Sequence, residues 1–269
     1  MIHKKGINCD CILGANPVET LELIKQAGFD CYFIGIVDCE KVEGIVKKGN
    51  ELGLECEFVH APFVGINEMW KDGDGYKKIY DEMLKTIDVA SKSGVGKVIL
   101  HLSSGWDAPL ITDEGQKRFD QIVEYAKSKN VVTVFENLRV VGNVSYFADK
   151  YIFDDSVRFC YDCGHEHCYT KYVRWVDIFR DRLVATHIHD NFGKKFDREE
   201  NTDLHLLPYD GNLDYRKMMQ KLDEYGYTGS LMLEVFNSSR PEYEQKTAWE
   251  FIKTAYDRLE RIQNETGEN

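Results

Sequence analysis

Proline is scarce in this chain, five among 269 residues, so little interrupts its helices and strands. Long apolar runs are missing too. None approaches the roughly 18–20 residues that a bilayer-spanning helix requires. Positive charge is in deficit, with Lys and Arg totalling 34 against 46 Asp and Glu, a formal net charge of −12. A chain so acidic lacks the basic stripe that grips polyanions through counterion release, which argues against a nucleic-acid partner. No leader is evident. The basic start Met1-Ile2-His3-Lys4-Lys5 runs into Gly6-Ile7-Asn8-Cys9-Asp10, where a signal peptide would carry its apolar stretch. The expectation is a cytoplasmic protein without a membrane anchor. Linkers, low-complexity tracts and shifts of composition are also absent, so residues 1–269 read as a single domain.

What is present begins with eight cysteines: Cys9, Cys11, Cys31, Cys39, Cys56, Cys160, Cys163 and Cys168. In a chain this long with no export signal they read as reduced thiols. Cys160-Tyr-Asp-Cys163 has the spacing of a zinc or redox pair. No second such pair completes a zinc site, and the tract reads as a strand end.

Short β-rich runs alternate with longer segments of helical period. The predicted strands are 6–9, 31–36, 55–60, 97–101, 131–136, 157–162, 183–187 and 229–234. Most are continuous apolar stretches, as parallel strands buried on both faces should be. The predicted helices are 18–27, 40–52, 76–93, 113–129, 145–151, 171–179, 215–225 and 241–262, several stopped by a following glycine such as Gly28, Gly53 or Gly94. Eight strands at one per roughly 34 residues, each followed by helical material, predict an α/β fold: a single (β/α)8 TIM barrel with a parallel eight-stranded core. An open doubly wound sheet would carry a Gly-rich turn after its first strand, and Cys9-Asp10-Cys11-Ile12-Leu13-Gly14 is not one.

A barrel gathers its functional side chains at the C-terminal ends of its strands. Here six consecutive strands end in His60, His101, Glu136, Asp162, His187 and Glu234, with His165 three residues beyond Asp162. The loop after the seventh strand adds Asp203 and His205. Burying several carboxylates and imidazoles at one mouth is costly unless a cation neutralises them. Oxygen and imidazole donors suit Mn, Zn, Co or Fe better than Ca.

These residues bring the sequence to a resemblance. From His60-Ala61-Pro62 to Glu234 it resembles the xylose isomerase-like barrel superfamily of sugar (phosphate) isomerases and epimerases, inosose dehydratases and endonuclease IV. The most specific stretch is His187-Ile-His-Asp-Asn followed by Asp203-Leu-His205-Leu-Leu-Pro208-Tyr-Asp-Gly211-Asn. The resemblance to ketose epimerases implies one divalent ion on Glu136, Asp162, His187 and Glu234. That to endonuclease IV implies up to three ions, with His60, His101, His165, Asp203 and His205 as further ligands. Tyr209-Asp210 departs from the glycine that many relatives place directly after this proline, which leaves the shape of the loop open.

Two activities follow from the resemblance. The first is a divalent-metal-dependent isomerase or epimerase (Mn, Zn or Co) acting on a carbohydrate or phosphorylated sugar. The ion polarises a carbonyl and its neighbouring hydroxyl, and Glu136 and Glu234 move a proton on and off carbon through an enediolate. The second is a multi-zinc phosphoester hydrolase, which needs the whole ligand set but sits poorly with the acidic charge. The loop lysines 71, 77, 78, 194 and 195, with Arg198, would suit a small phosphorylated substrate. His189, Arg139 and Trp106 are candidate substrate contacts, and Trp70, Trp106 and Phe63 could wall a sugar or merely cover the barrel mouth. His3 reads as solvated and His167 as a loop residue beside the site. Exposed aromatics leave a homodimer open.

Overall fold

A computed structural model describes residues 2–195 and 200–265, so Arg198 lies outside the described residues. Eight strands run β1 (Lys5–Asn8), β2 (Cys31–Ile34), β3 (Glu55–His60), β4 (Lys97–Leu100), β5 (Val132–Glu136), β6 (Val157–Asp162), β7 (Leu183–His187) and β8 (Leu231–Leu233). Helices α1 (Pro17–Ala27), α2 (Cys39–Leu52), α3 (Lys77–Lys92), α4 (Asp113–Ser128) and α5 (Val141–Lys150) follow the first five. The second half carries α6 (Cys163–Cys168), α7 (Trp175–Phe179), α8 (Tyr215–Glu224), α9 (Pro241–Glu244) and α10 (Ala248–Asn264). Neighbouring strands pair in parallel in the order β7-β6-β5-β4-β3-β2-β1-β8. The last seam, β7 against β8, closes through the Ile188–Leu233 bridge and through Thr186. The Thr186 hydroxyl donates to the Ser230 carbonyl at 3.0 Å and accepts the Met232 amide at 3.1 Å. The architecture is the (β/α)8 barrel that the sequence predicts.

The strand pleat explains where the site lies. Side chains at i and i+2 share a face, and Phe58, Ile99, Val134, Cys160, Ala185 and Met232 form a packed layer inside the barrel. Two residues further along the same strands stand His60, His101, Glu136, Asp162, His187 and Glu234. The apolar layer is therefore the floor, and the polar residues are the next layer up. Gly6 belongs to this floor on β1: a Cβ there would run into the Met232 side chain and the Cys31 sulfur. Outside the strands a larger core packs helices against the sheet, including Phe119 and Phe147. On α3 it takes Ile79, Met83, Ile87 and Ala90, which recur at helical spacing on one face.

Caps set several boundaries. Asn16 accepts from the Val18 amide at the start of α1, and Gly28, at φ 109°, ends that helix. The structure divides the helix expected over 241–262, because Thr247 and Glu250 form a reciprocal capping box that starts α10 afresh. It starts α5 at Val141 rather than near Ser145 and shortens the 171–179 segment to α7. It also adds α6, capped by the Asp162 carboxylate on the His165 amide. Cys163 thus begins a short helix as well as following a strand. All eight cysteines are free thiols, and burial pushes those of Cys160 and Cys163 well up, away from a reactive thiolate. His3 is buried rather than solvated: its Nδ1 lies 2.8 Å from the Gly229 carbonyl and its ring stacks on Tyr227. None of the helices among the described residues is long and apolar enough to cross a membrane.

Candidate metal centre

Glu136, 1% exposed at the end of β5, is the hub of the barrel mouth. Its Oε2 lies 3.0 Å from His101 Nε2 and 3.6 Å from His60 Nε2. Its Oε1 lies 3.2 Å from both His187 Nδ1 and His165 Nδ1. His187 Nδ1 also approaches Glu234 Oε2 at 3.3 Å and Asp162 Oδ2 at 3.9 Å. Donor atoms of Glu136, Asp162, His187 and Glu234 all fall within 4.8 Å of one another, as do those of His60, His101 and Glu136. A third such group adjoins them, made of His165, His189, Asp203 and His205. All nine residues implied as ligands by the sequence resemblance therefore converge.

Supporting contacts aim these donors. His60 Nδ1 sits 2.8 Å from the Ala61 carbonyl and donates to it, which leaves Nε2 facing Glu136. His205 Nδ1 is held in the same way by the Glu234 carbonyl at 3.0 Å, which leaves Nε2 facing Asp203. The His187 ring stacks on Phe33, from the floor, with centroids 5.0 Å apart. Asn137 exchanges two 2.8 Å hydrogen bonds with the Asp162 backbone and fixes the ends of β5 and β6 together.

The electrostatics show what the cluster needs. Burial alone would raise the Glu136 carboxyl, yet the His187 charge and hydrogen bonds from three imidazoles hold it well below the usual carboxylate range. Burial would likewise lower His187 and His205, but their carboxylate neighbours carry them up to about 9 and about 10. His165 is raised and Asp203 lowered well away from their ordinary values by the same balance. His101 moves the other way, because burial dominates there. Among the described residues, buried Asp162 Oδ2, His187 Nε2 and Asp203 Oδ1 have no hydrogen-bond partner. Such groups require positive charge among them, from protons on imidazole or from a cation. The donor set is nitrogen and carboxylate oxygen, it is preformed, and it fits a divalent transition metal.

Above the cluster lies a cavity of about 330 Å³, lined among others by Glu136, Glu234, Phe63, Arg139 and Asp10. Phe63 stacks on His101 with centroids 4.3 Å apart. Among the described residues Arg139 is the one Lys or Arg in the lining, and it lies over the Tyr169 ring at 3.9 Å while donating to its hydroxyl. Trp106 turns its edge to Tyr169 and lies outside the lining. Trp70 is core: 1% exposed, packed on Phe119, its indole N–H donating to the Leu102 carbonyl at 2.6 Å. His189 is fully buried and joins the third donor group rather than the cavity wall. His167 lies on α6, 2.7 Å from the Asn212 side chain. Of the loop lysines, Lys71, Lys77, Lys78 and Lys195 pair with nearby Glu68, Asp74, Glu82 and Glu200. Asp10 was not singled out from the sequence. Its signal is the alternation Gly6, Asn8, Asp10, which carries the inward face of β1 beyond the strand end, and burial raises its carboxyl. The loop after Pro208 keeps a left-handed residue, since Tyr209 adopts φ 73° while its amide donates to Asp190 at 2.9 Å.

Residues 21–255 match the family model described as "Xylose isomerase-like TIM barrel". The chain belongs to this family. Among curated proteins, an inosose isomerase of Halalkalibacterium halodurans is 25% identical over 271 residues, covering 90% of each chain. Among solved structures, the IolI protein with a bound zinc atom superposes with a TM-score of 0.77 at 18% identity, covering 99% of this chain and all of that one. A D-psicose 3-epimerase from Clostridium cellulolyticum H10 gives 0.75 at 15% identity, over 98% and 99%. At these identities the two structures share the family fold with this chain.

Proposed function

We propose that this protein is a divalent-metal-dependent isomerase or epimerase of a sugar. One observation carries the reading: Glu136, Asp162, His187 and Glu234 present donor atoms to a single point at the base of a cavity sized for one small molecule. Its volume of about 330 Å³ lies at the lower end of the ~300–1,000 Å³ typical of small-molecule sites, which favours a monosaccharide over a polymer. The sugar epimerase and inosose isomerase names among the relatives support the same chemistry. A divalent ion in the quartet supplies a Lewis acid for a carbonyl and its neighbouring hydroxyl. The protein's part is proton transfer. One of Glu136 and Glu234 receives the proton α to the carbonyl while the C–H electron pair moves into an enediolate, and the other returns a proton. Return to the opposite face of the same carbon inverts it; return to the adjacent carbon exchanges ketose and aldose. Arg139 and Asp10, both in the lining, orient substrate hydroxyls. The test is solvent deuterium incorporation into a panel of ketoses, comparing the metal-loaded protein with Glu234→Gln. Deuterium should enter the α-carbon with the wild type alone. Turnover without deuterium in the product would overturn the mechanism.

A second reading rests on the contiguity of the three donor groups, which share Glu136 between two of them. Ions filling all three would engage both glutamates and point to phosphoester hydrolysis. Release of phosphate or p-nitrophenol from model phosphoesters, in place of deuterium exchange, would favour it.

A further inference from the structure

The cavity above the quartet continues sideways. A groove of about 440 Å³ runs on from it over the loops that follow β1, β2 and β8. Asp10, Ile36 and Phe236 line both hollows, so the groove begins where the cavity stops. Beyond that junction the lining changes character. Imidazole and carboxylate give way to Ile12, Leu13 and Val37, while Asp38 and Lys41 pair with each other at 3.5 Å and stay exposed. Leu13 is 73% exposed and Ile36 48%, two large apolar side chains on one concave surface. A single exposed leucine needs no explanation, but apolar walls leading out of a site mark a place that receives an apolar group. The walls are also fixed. Asn237 Oδ1 accepts the Leu13 amide at 2.7 Å, and the Asn237 amide donates to the Cys11 carbonyl at 2.9 Å, which ties the loops after β8 and β1 together. Phe236 rests against His205, with ring centroids 5.5 Å apart. At the junction Gly35 leaves room for Asp10, since any Cβ there would collide with its carboxylate. A group entering the groove meets a preformed surface, which reduces the ordering that binding costs.

We propose that this groove is a subsite for the apolar aglycone of a glycoside whose sugar ring occupies the cavity. The assignment rests on the isomerase or epimerase reading for the sugar end and deepens it by naming the substrate class. A second sugar unit would set its hydroxyls against Ile12, Leu13 and Val37 at the expense of their hydrogen bonds with water. An aryl or alkyl group gains from the same surface. The anomeric oxygen is where a sugar ordinarily carries such a group, and substitution there blocks ring opening. The chemistry left to Glu136 and Glu234 is then inversion beside a ring carbonyl, in place of exchange between ketose and aldose.

The experiment is isothermal titration calorimetry on the full-length, Zn2+-loaded protein with matched methyl and phenyl pyranosides of glucose, galactose and mannose. In at least one pair the phenyl glycoside should bind about tenfold more tightly, the gain that roughly 55 Å² of buried apolar surface supplies. Leu13→Asp, at an exposed position, should bring that ratio toward one, with the methyl glycoside as the control that does not reach Leu13. Ratios near one in every wild-type pair, or no binding by any phenyl glycoside, would overturn the assignment. A measurement without a variant is NMR on methyl-labelled protein: phenyl protons of the bound glycoside should show NOEs to Leu13 and Ile36, and NOEs confined to other methyl groups would count against the subsite. Sedimentation velocity tests the competing occupant. A wild-type dimer that Leu13→Asp converts to a monomer would make the groove an interface between copies and remove the aglycone from it. Binding is read without turnover. Failure of deuterium exchange beside a tight phenyl glycoside would therefore sink the isomerase reading and leave the subsite, and exchange with ratios near one would do the reverse.

Discussion

Arg139 lines the cavity, and its guanidinium is already oriented by the Tyr169 ring and hydroxyl. A pre-oriented charged donor contributes about 1.5–3 kcal/mol to a hydrogen bond with a neutral partner, which is roughly 10–150-fold in affinity. Arg139→Ala should therefore raise KM by about that factor, with kcat changed much less, in steady-state assays on the ketose that exchanges deuterium. An equal fall in kcat would instead assign Arg139 to the transition state. The six strand-end residues around it were legible in the sequence because the pleat is strict: a polar residue two beyond a buried apolar one must rise from the same face. Other positions were harder to read. Trp70 invited a sugar-wall reading from its place after β3, but the turn 66–70 folds it inward, where the Leu102 carbonyl satisfies its N–H. His189 follows the same alternation as His187, yet its burial depends on the glycine at 164, a contact between distant segments that no local pattern reveals.

Between elements, the loop after β7 is fastened to α10 by Asp210. Its carboxylate meets Arg258 at 2.6 Å and accepts from the Tyr243 hydroxyl, while Arg258 also donates to the Pro208 carbonyl at 2.8 Å. Burial would raise the Asp210 carboxyl, but Arg258 and Tyr243 lower it below its ordinary value. A depressed folded-state pKa contributes stability that is present above the unfolded value near 3.9 and lost as pH falls through the folded one. Asp210→Asn should thus cost about 1 kcal/mol at pH 7, reduced from a fully buried pair by partial solvent screening, and almost nothing near pH 2. Urea denaturation at the two pH values checks this, and an equal loss at both would assign the cost to packing. The boundaries of the later helices were the least legible part of the fold. From 241 to 262 the apolar period continues, and the break depends on the reciprocal Thr247–Glu250 cap, which competes with simple continuation of the helix. α6 is six residues long and held by the Asp162 side chain, too short to show a period of its own.

For the molecule as a whole, eight apolar runs at even spacing were enough to read a barrel, but not how its last seam closes. That closure uses a side chain. Thr186→Val would leave the Met232 amide without its partner, while the Ser230 carbonyl keeps the Tyr227 hydroxyl that donates to it at 2.9 Å, at a cost of about 1–3 kcal/mol by chemical denaturation. The mouth above the seam couples stability to metal and pH in opposite senses. In the metal-free protein His187 and His205 have folded-state values raised to about 9 and about 10. The unfolded value is near 6.5. Their stabilising contribution is therefore complete below about pH 6.5 and is lost as pH rises through 9 to 10. Metal binding has the reverse dependence, because an imidazole must shed its proton before it can ligate. Differential scanning calorimetry should show the metal-free Tm falling between pH 7 and 10. Over the same interval the difference between zinc-loaded and metal-free Tm should widen. A difference that stays constant with pH would mean that zinc displaces no protons from these imidazoles and binds elsewhere on the protein.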